Sequence, residues 1–139
     1  MRGLAQYATT NSVGASAQEE ELLAFSIVTS HLANATSEEE RIRALYRNQQ
    51  LWSCVLNDVA LSTNRLPQTL KDDITRVGLW AMRYSTLAIP QRLPVAPLIE
   101  INRNIMDGLR DQIANLKKLP PPSPQRAAGH AVAVWNAPV

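Results

Sequence analysis

Histidine, cysteine and aromatic side chains are scarce in this chain, whose 139 residues include two His, one Cys, one Phe, three Tyr and three Trp. A single cysteine excludes any disulfide within the chain and fits a reducing compartment. Cys54 lies among Leu51, Trp52, Val55 and Leu56, a setting that predicts a small buried apolar residue. No histidine stands near it in sequence to activate the thiol. His31 and His130 occupy different segments, neither with a second histidine or a cysteine at metal-ligand spacing, so no zinc site is expected. The five glycines are scattered rather than gathered around a strand-to-helix turn, which leaves nucleotide binding unsupported. Asp72 and Asp73 are adjacent carboxylates, but helix neighbours diverge by about 100°, and Asp72 can pair with Arg76 one turn on. Paired acid–base catalysis is therefore not expected. With no cofactor motif and no catalytic constellation, the chain reads as a binding module rather than an enzyme.

Long hydrophobic runs are missing too. Residues 1–8, Met-Arg-Gly-Leu-Ala-Gln-Tyr-Ala, lack the apolar core of a signal peptide, and no stretch approaches the length of a membrane span. The expectation is a soluble, cytoplasmic protein. The composition, 45% hydrophobic with 5% aromatic, suits one small domain with a modest core and some unstructured flank. Charge has no strong bias: 14 Lys and Arg against 12 Asp and Glu give +2. Arg41, Arg43 and Arg47 follow directly on Glu38, Glu39 and Glu40, which makes a solvated face of i,i+4 pairs rather than a basic stripe for nucleic acid.

What is present is helical periodicity. Residues 1 to about 16, rich in Ala, Thr, Ser, Asn and Gly, predict a mobile lead-in. From Ala17 to about Ala35, Leu22, Phe25, Val28 and Leu32 recur at helical spacing, Leu23 and Ile27 widen the stripe, and Glu19, Glu20 and Glu21 favour the positive end of the helix dipole. Ser37-Glu38-Glu39-Glu40 is a capping-box pattern. It opens a second helix to about Leu61, with Ile42, Leu45, Trp52, Leu56 and Val59 on its apolar face and Gln49 interrupting it. Asn64-Arg65-Leu66-Pro67 is a stop-and-restart signal, because proline lacks an amide donor yet suits the first position of a helix. The third helix carries Leu70, Ile74, Val77, Ala81 and Tyr84 on its inner stripe. Leu79, Trp80 and Leu87 add apolar surface on other faces, which places this helix at a bundle centre or beside a binding patch.

Ile89 to Pro97, with prolines at 90, 94 and 97, predicts an extended connection. A fourth helix then runs to about Lys118, where Lys117 and Lys118 complement its dipole. Pro120-Pro121-Pro122-Ser123-Pro124 ends it, and residues 125–139 predict a flexible tail. Period-two runs are absent outside Ala131–Trp135. The fold class is all-α: a bundle of about four helices over residues 17–118, between the lead-in and a Pro-rich tail over 119–139.

Residues 98–109 hold the least ordinary stretch. Leu98, Ile101, Ile105, Leu109, Ile113 and Leu116 form one stripe, yet Asn102 stands beside it and Gly108 lies inside the helix. A buried amide needs partners, and a mid-helix glycine gives up roughly 1 kcal/mol relative to alanine. Either Asn102 fixes helix register while Gly108 permits close approach of a neighbouring helix, or the segment forms a partner-binding surface.

Several blocks together resemble the FlaF family of bacterial flagellar biosynthesis regulators. They are Ala5-Gln6-Tyr7, Glu20-Glu21-Leu22-Leu23, Ala44-Leu45 with Asn48 and Leu51-Trp52, Asn64-Arg65-Leu66-Pro67, Leu79-Trp80, and Leu98-Ile99 through Ile101-Asn102-Arg103-Asn104-Ile105-Met106-Asp107-Gly108-Leu109. The resemblance covers roughly residues 5–116, and the tail beyond Lys118 departs from it. It implies a small helical cytoplasmic protein that acts with flagellin in its synthesis or export and is opposed by FlbT, a repressor of flagellin translation. Joined to the residue reading, it suggests an export chaperone that masks an amphipathic terminal helix of flagellin in a groove between the third and fourth helices. Candidate contacts are Trp80, Ile101, Ile105, Met106 and Leu109, with Asn102 and Arg103 as polar guides. The alternative is a post-transcriptional regulator acting on flagellin mRNA with FlbT through Arg41, Arg43, Arg47 and Arg65, and a third reading is a purely structural helical adaptor.

Overall fold

The computed structural model describes residues 11–64 and 66–118. Residues 1–10 of the lead-in expected over 1–16, Arg65, and the tail 119–139 with its proline run, His130 and Trp135 lie outside them, while residues 11–16 of that lead-in are helical rather than mobile coil. Among the described residues are four helices in up-down order: α1 Asn11–Asn34, α2 Glu38–Ala60, α3 Gln68–Gln91 and α4 Ala96–Lys118. No strand occurs among the described residues. The all-α bundle expected from periodicity is what forms.

Helix α1 begins at Asn11, six residues before the periodic pattern. Extending an existing helix adds one hydrogen bond per residue, whereas starting one is costly, so small residues without an apolar stripe are carried along. Helix α2 starts where the capping pattern places it: the Glu40 amide donates to Ser37 Oγ at 3.1 Å. Glu40 Oε1 accepts from the amide and hydroxyl of Thr36, both at 2.9 Å, one residue further back than a capping box requires. These bonds, the Thr36 amide above all, hold the Glu40 carboxyl below its ordinary pKa. Between α2 and α3, Asn64 Nδ2 donates to the Asp58 carbonyl and Asn64 Oδ1 accepts from the Leu66 amide. Pro67 caps α3.

The extended connection expected from Ile89 is shorter than its prolines suggest. Helix α3 runs through Pro90 to Gln91 and closes on Arg92 in the left-handed conformation, φ 53°. A proline in the final turn forfeits one amide, and α3 has no basic residue in its own last turn. Arg41 of α2 adds donors from outside around this helix end, on carbonyls other than the Thr86 carbonyl that Pro90 leaves without its amide. Its Nη2 lies 2.8 Å from the Ala88 carbonyl and 2.5 Å from the Leu93 carbonyl, so two carbonyls at the helix end are satisfied from outside. Pro97 falls in the first turn of α4, as expected.

Helix α2 packs on α1 and most extensively on α3, α1 packs on α4, and α3 and α4 meet sparingly. The core includes Phe25, Leu32, Leu45, Trp52, Val55, Leu98 and Leu109, with Phe25 edge-on to Trp52 at 5.6 Å and 84°. Several residues lie elsewhere than periodicity put them. Leu23 and Ile27 face solvent at 59% and 48% exposure, because they sit opposite Phe25 on a helix turning about 100° per residue. Cys54 is exposed rather than buried for the same reason, as it lies on the far side of α2 from Trp52. Ile42 is exposed as well.

The buried face of α3 is built from Gly78, Ala81, Ser85 and Ala88, small residues that let α2 come close. A Cβ on Gly78 would fall 2.7 Å from Leu56 Cδ2 and 3.2 Å from Trp52 Cε3. Gly108, for which close helix approach was one account, has nothing within 4 Å of where its Cβ would be. The two glycines therefore predict opposite outcomes in urea denaturation. Gly78→Val overpacks the α2–α3 contact and lowers stability by about 1–3 kcal/mol, whereas Gly108→Ala raises it by up to about 1 kcal/mol.

Candidate functional site

Asn102 is buried at 0% exposure, and its amide sits in a continuous polar chain across the bundle centre. Trp52 Nε1 donates to Asn102 Oδ1 at 3.0 Å, Asn102 Nδ2 to Asn48 Oδ1 at 2.8 Å, Asn48 Nδ2 to Ser85 Oγ at 3.0 Å, and Ser85 Oγ to the Ala81 carbonyl at 2.7 Å. An indole N–H can only donate, so it fixes which end of each amide faces which neighbour. Asn102 is thus a register-setting core residue and not a polar guide on a surface.

The seven expected contact residues do not form one surface. On the α4 wheel, Leu98, Asn102, Leu109 and Ile113 point into the bundle, and Asn102 and Leu109 have at most 2% exposure. Ile101 and Ile105, half-buried, lie on the flank toward α3. Arg103 and Met106 lie on the other flank, where they border a polar cleft with Ser26, Thr29, Ser30 and Asn34 of α1. Met106 is itself buried, so the core stripe of α4 is rotated toward it from the expected one. Trp80 is 41% exposed on α3, stacked on Tyr84 at 5.1 Å, while the Tyr84 hydroxyl donates to the Pro94 carbonyl at 2.6 Å.

Of the expected residues, Trp80, Ile101 and Ile105 therefore share the α3–α4 side. Where those helices diverge, an apolar cleft of about 220 Å³ opens, with Phe25, Trp52 and Val55 as its floor, Leu70, Ile74 and Val77 on one wall and Ile105 on the other. Asp73 stands at its rim. Val77, Trp80 and Tyr84 follow one another at helical spacing, so exposed Trp80 and Leu87 continue the apolar strip along α3 from the cleft. Gly108 continues the Ile101–Ile105 line on α4, and its missing side chain leaves that wall low. Phe25, Val55 and Leu70 were not candidates, since only the packing of α1 and α2 beneath the α3–α4 gap brings them to one cleft.

The arginines that a nucleic-acid surface would need are engaged locally. Arg41 holds the end of α3, Arg43 pairs with Glu39 at 2.8 Å, and Arg47 Nη1 lies 3.1 Å from His31 Nδ1. Among the described residues no cluster of three or more His, Cys, Asp or Glu could hold a metal ion. No helix there is long and apolar enough to cross a membrane.

A family model described as flagellar protein FlaF matches residues 4–109. The chain belongs to this family. The FlaF match takes in the cleft, the buried amide chain and all seven expected contact residues, and stops short of the last turns of α4 and the tail. No curated protein and no solved structure matches the chain.

One ionisable group of this FlaF-family chain is out of place in a core. Glu21, expected near the exposed start of α1, is 3% exposed because it lies one turn before Phe25 on the stripe that α1 buries. Its Oε2 has no hydrogen-bond partner among the described residues. Burial, and secondarily the Asp58 carboxylate, push its pKa from 4.5 up to about 8; burial raises Asp58 also.

Two predictions follow from these buried groups. Asn102→Leu strands the Trp52 indole N–H and the Asn48 carbonyl oxygen and lowers stability in urea by about 2–4 kcal/mol, while exposed Arg103→Ala changes it by less than about 0.5 kcal/mol. For Glu21 the folded pKa lies above the unfolded one, so the folded chain binds the extra proton. Its contribution is full below about pH 4.5 and is lost as pH rises toward about 8, with a slope of at most about 1.4 kcal/mol per pH unit. Glu21→Gln flattens that decline in thermal melts across this range and stabilises the protein at its alkaline end.

Proposed function

We propose that this flagellar protein is a binding protein for flagellin, which it holds as an export chaperone by seating an apolar anchor of an amphipathic terminal helix in the α3–α4 cleft. Terminal helices of flagellin that bury their apolar faces only in the filament need cover before assembly, and covering them would promote flagellin synthesis and secretion. The observation that supports this reading is the continuity of the cleft with exposed apolar surface. A space of about 220 Å³ takes one large side chain rather than a helix. The rest of an amphipathic helix would then lie along the strip formed by Trp80 and Leu87 on α3 and Ile101 and Ile105 on α4, which is the helix-in-groove mode.

The reading divides the expected contacts. Trp80, Ile101 and Ile105 face the bound helix, Asn102 and Leu109 support the cleft from beneath, and Arg103 and Met106 take no part. A role on flagellin mRNA, alone or with FlbT, finds less support, because Arg41, Arg43 and Arg47 are engaged within the bundle.

Titration calorimetry with full-length flagellin, and with flagellin lacking its terminal helices, tests the proposal. Binding requires those helices and has a negative heat-capacity change, the mark of apolar burial. Trp80→Ala weakens it by about 2 kcal/mol, roughly 30-fold, as expected of a central tryptophan anchor, and Arg103→Ala leaves it unchanged. No binding to flagellin, with salt-sensitive affinity for its mRNA, would overturn the proposal in favour of the RNA-level role.

A further inference from the structure

We infer that the chain's own C-terminal segment, Ala131–Trp135, docks in the α3–α4 cleft with Trp135 as its anchor, and so competes with any helix that the cleft binds. The competition rests on the function proposed above; the docking does not. Three observations favour this occupant. The first is composition: after Arg126 no Lys, Arg, Asp or Glu follows, and Val132, Val134, Trp135 and Val139 are the large apolar residues there. The cleft is apolar and sized for one large side chain, with partly exposed Leu70, Val77 and Ile105 on its walls for an indole to pack against.

The second is position. Helix α4 runs antiparallel to α1, as the Lys117–Glu19 ion pair and the Gln18–Gln112 hydrogen bond require. The tail therefore leaves from the end of the bundle where α3 begins, which is also where Leu70 and Asp73 form the cleft mouth. The third is reach. From Ile105 to Lys118 the helix rises 13 residues, roughly 20 Å at about 1.5 Å each. From Lys118 to Trp135 the chain has 17 residues; counting the proline run 120–124 as a stiff stretch of about 15 Å and the rest as flexible, its average span is about 24 Å. A tether whose average span matches the distance to its site gives the highest effective concentration, on the order of 1 mM.

That concentration makes even a weak contact count. Against an intrinsic Kd of about 0.3 mM it fills roughly three-quarters of the clefts and weakens a competing ligand about fourfold. A partner helix with nanomolar affinity would displace the tail, whereas weak apolar encounters would be turned away. The tail lies beyond the residues matched by the FlaF family model, so this is a property argued for the present chain and not for its family. The other occupants to distinguish are the N-terminal segment with Leu4 and Tyr7, and a second copy of the chain.

The test compares methyl NMR spectra of the full-length protein and full-length Trp135→Ala, with flagellin affinities measured on both. Trp135 follows the four helices in sequence, and equal thermal melts establish that the variant is folded. Docking predicts that Ile74, Val77 and Ile105 methyl signals shift in the variant, independently of protein concentration, while those of Leu23 and Leu32 stay in place. It also predicts about fourfold tighter flagellin binding by the variant. Unchanged cleft signals overturn the inference and return the cleft to the N-terminal segment or to solvent; shifts that grow with protein concentration overturn it in favour of a second copy. Cleft shifts with no flagellin binding by either protein leave the docked tail standing and overturn the flagellin reading, whereas flagellin binding with unchanged cleft signals does the reverse.

Discussion

The hydrogen-bond chain from the Trp52 indole through Asn102, Asn48 and Ser85 to the Ala81 carbonyl is the constraint on which the arrangement of α2, α3 and α4 depends. Apolar packing alone tolerates small rotations and slips of one helix along another, because it has no direction. A buried amide does not tolerate them, since each misplaced donor or acceptor costs about 1–3 kcal/mol. Here a donor-only indole sets the polarity and every later group follows from it. One arrangement of three helices satisfies all the members, and a shift of a helix by a single residue breaks the bonds that cross it, sparing only the Ser85–Ala81 bond inside α3.

That constraint also shapes the cleft. Trp52 is held by its indole N–H at the bundle centre, where its ring stands perpendicular to Phe25 and its Cε3 edge faces Gly78. The small residues of α3 let α2 and α3 close together, and the Arg41 guanidinium bridging the Ala88 and Leu93 carbonyls fixes where α3 turns into α4. Helix α4 is drawn instead toward α1. With α3 committed to one neighbour and α4 to another, the gap between them opens above buried Phe25, Trp52 and Val55 and leaves Leu70, Val77 and Ile105 partly exposed at its walls. The candidate site is thus a consequence of unequal helix pairing, and its floor is made of the same residues that hold the core together.

Glu21 belongs to the opposite category, a group that burial destabilises rather than orders. It is kept as a neutral acid by its surroundings, at the end of the bundle where α1 begins and α2 ends. A core that accepts such a residue gives up stability there, while the amide network near the centre adds specificity. The cleft and both ends of the described chain lie toward the Glu21 end of the molecule.

Much of the fold was legible in the sequence. The four helices, the Ser37 cap and the Asn64 turn follow from local chemistry: side-chain periodicity, capping oxygens and proline's missing amide act within a few residues and need no partner. Which face each helix buries was legible only in part. Leu23, Ile27, Ile42 and Cys54 satisfy local apolar patterns and yet face solvent, because a helix has room for one buried stripe and its neighbours choose which. Asn102 was recognisable as costly, but whether it paired inside or pointed outside rested on Trp52, Asn48 and Ser85, at separations of 17 to 54 residues along the chain. Gly78 and Gly108 are the same residue in similar helices; one is pressed against Leu56 and the other faces open space, a difference no local rule contains. The sequence by itself determined that this chain is four amphipathic helices. The tertiary structure alone decided that a cleft opens between the last two, since that depends on how unequally each helix divides its surface among the other three.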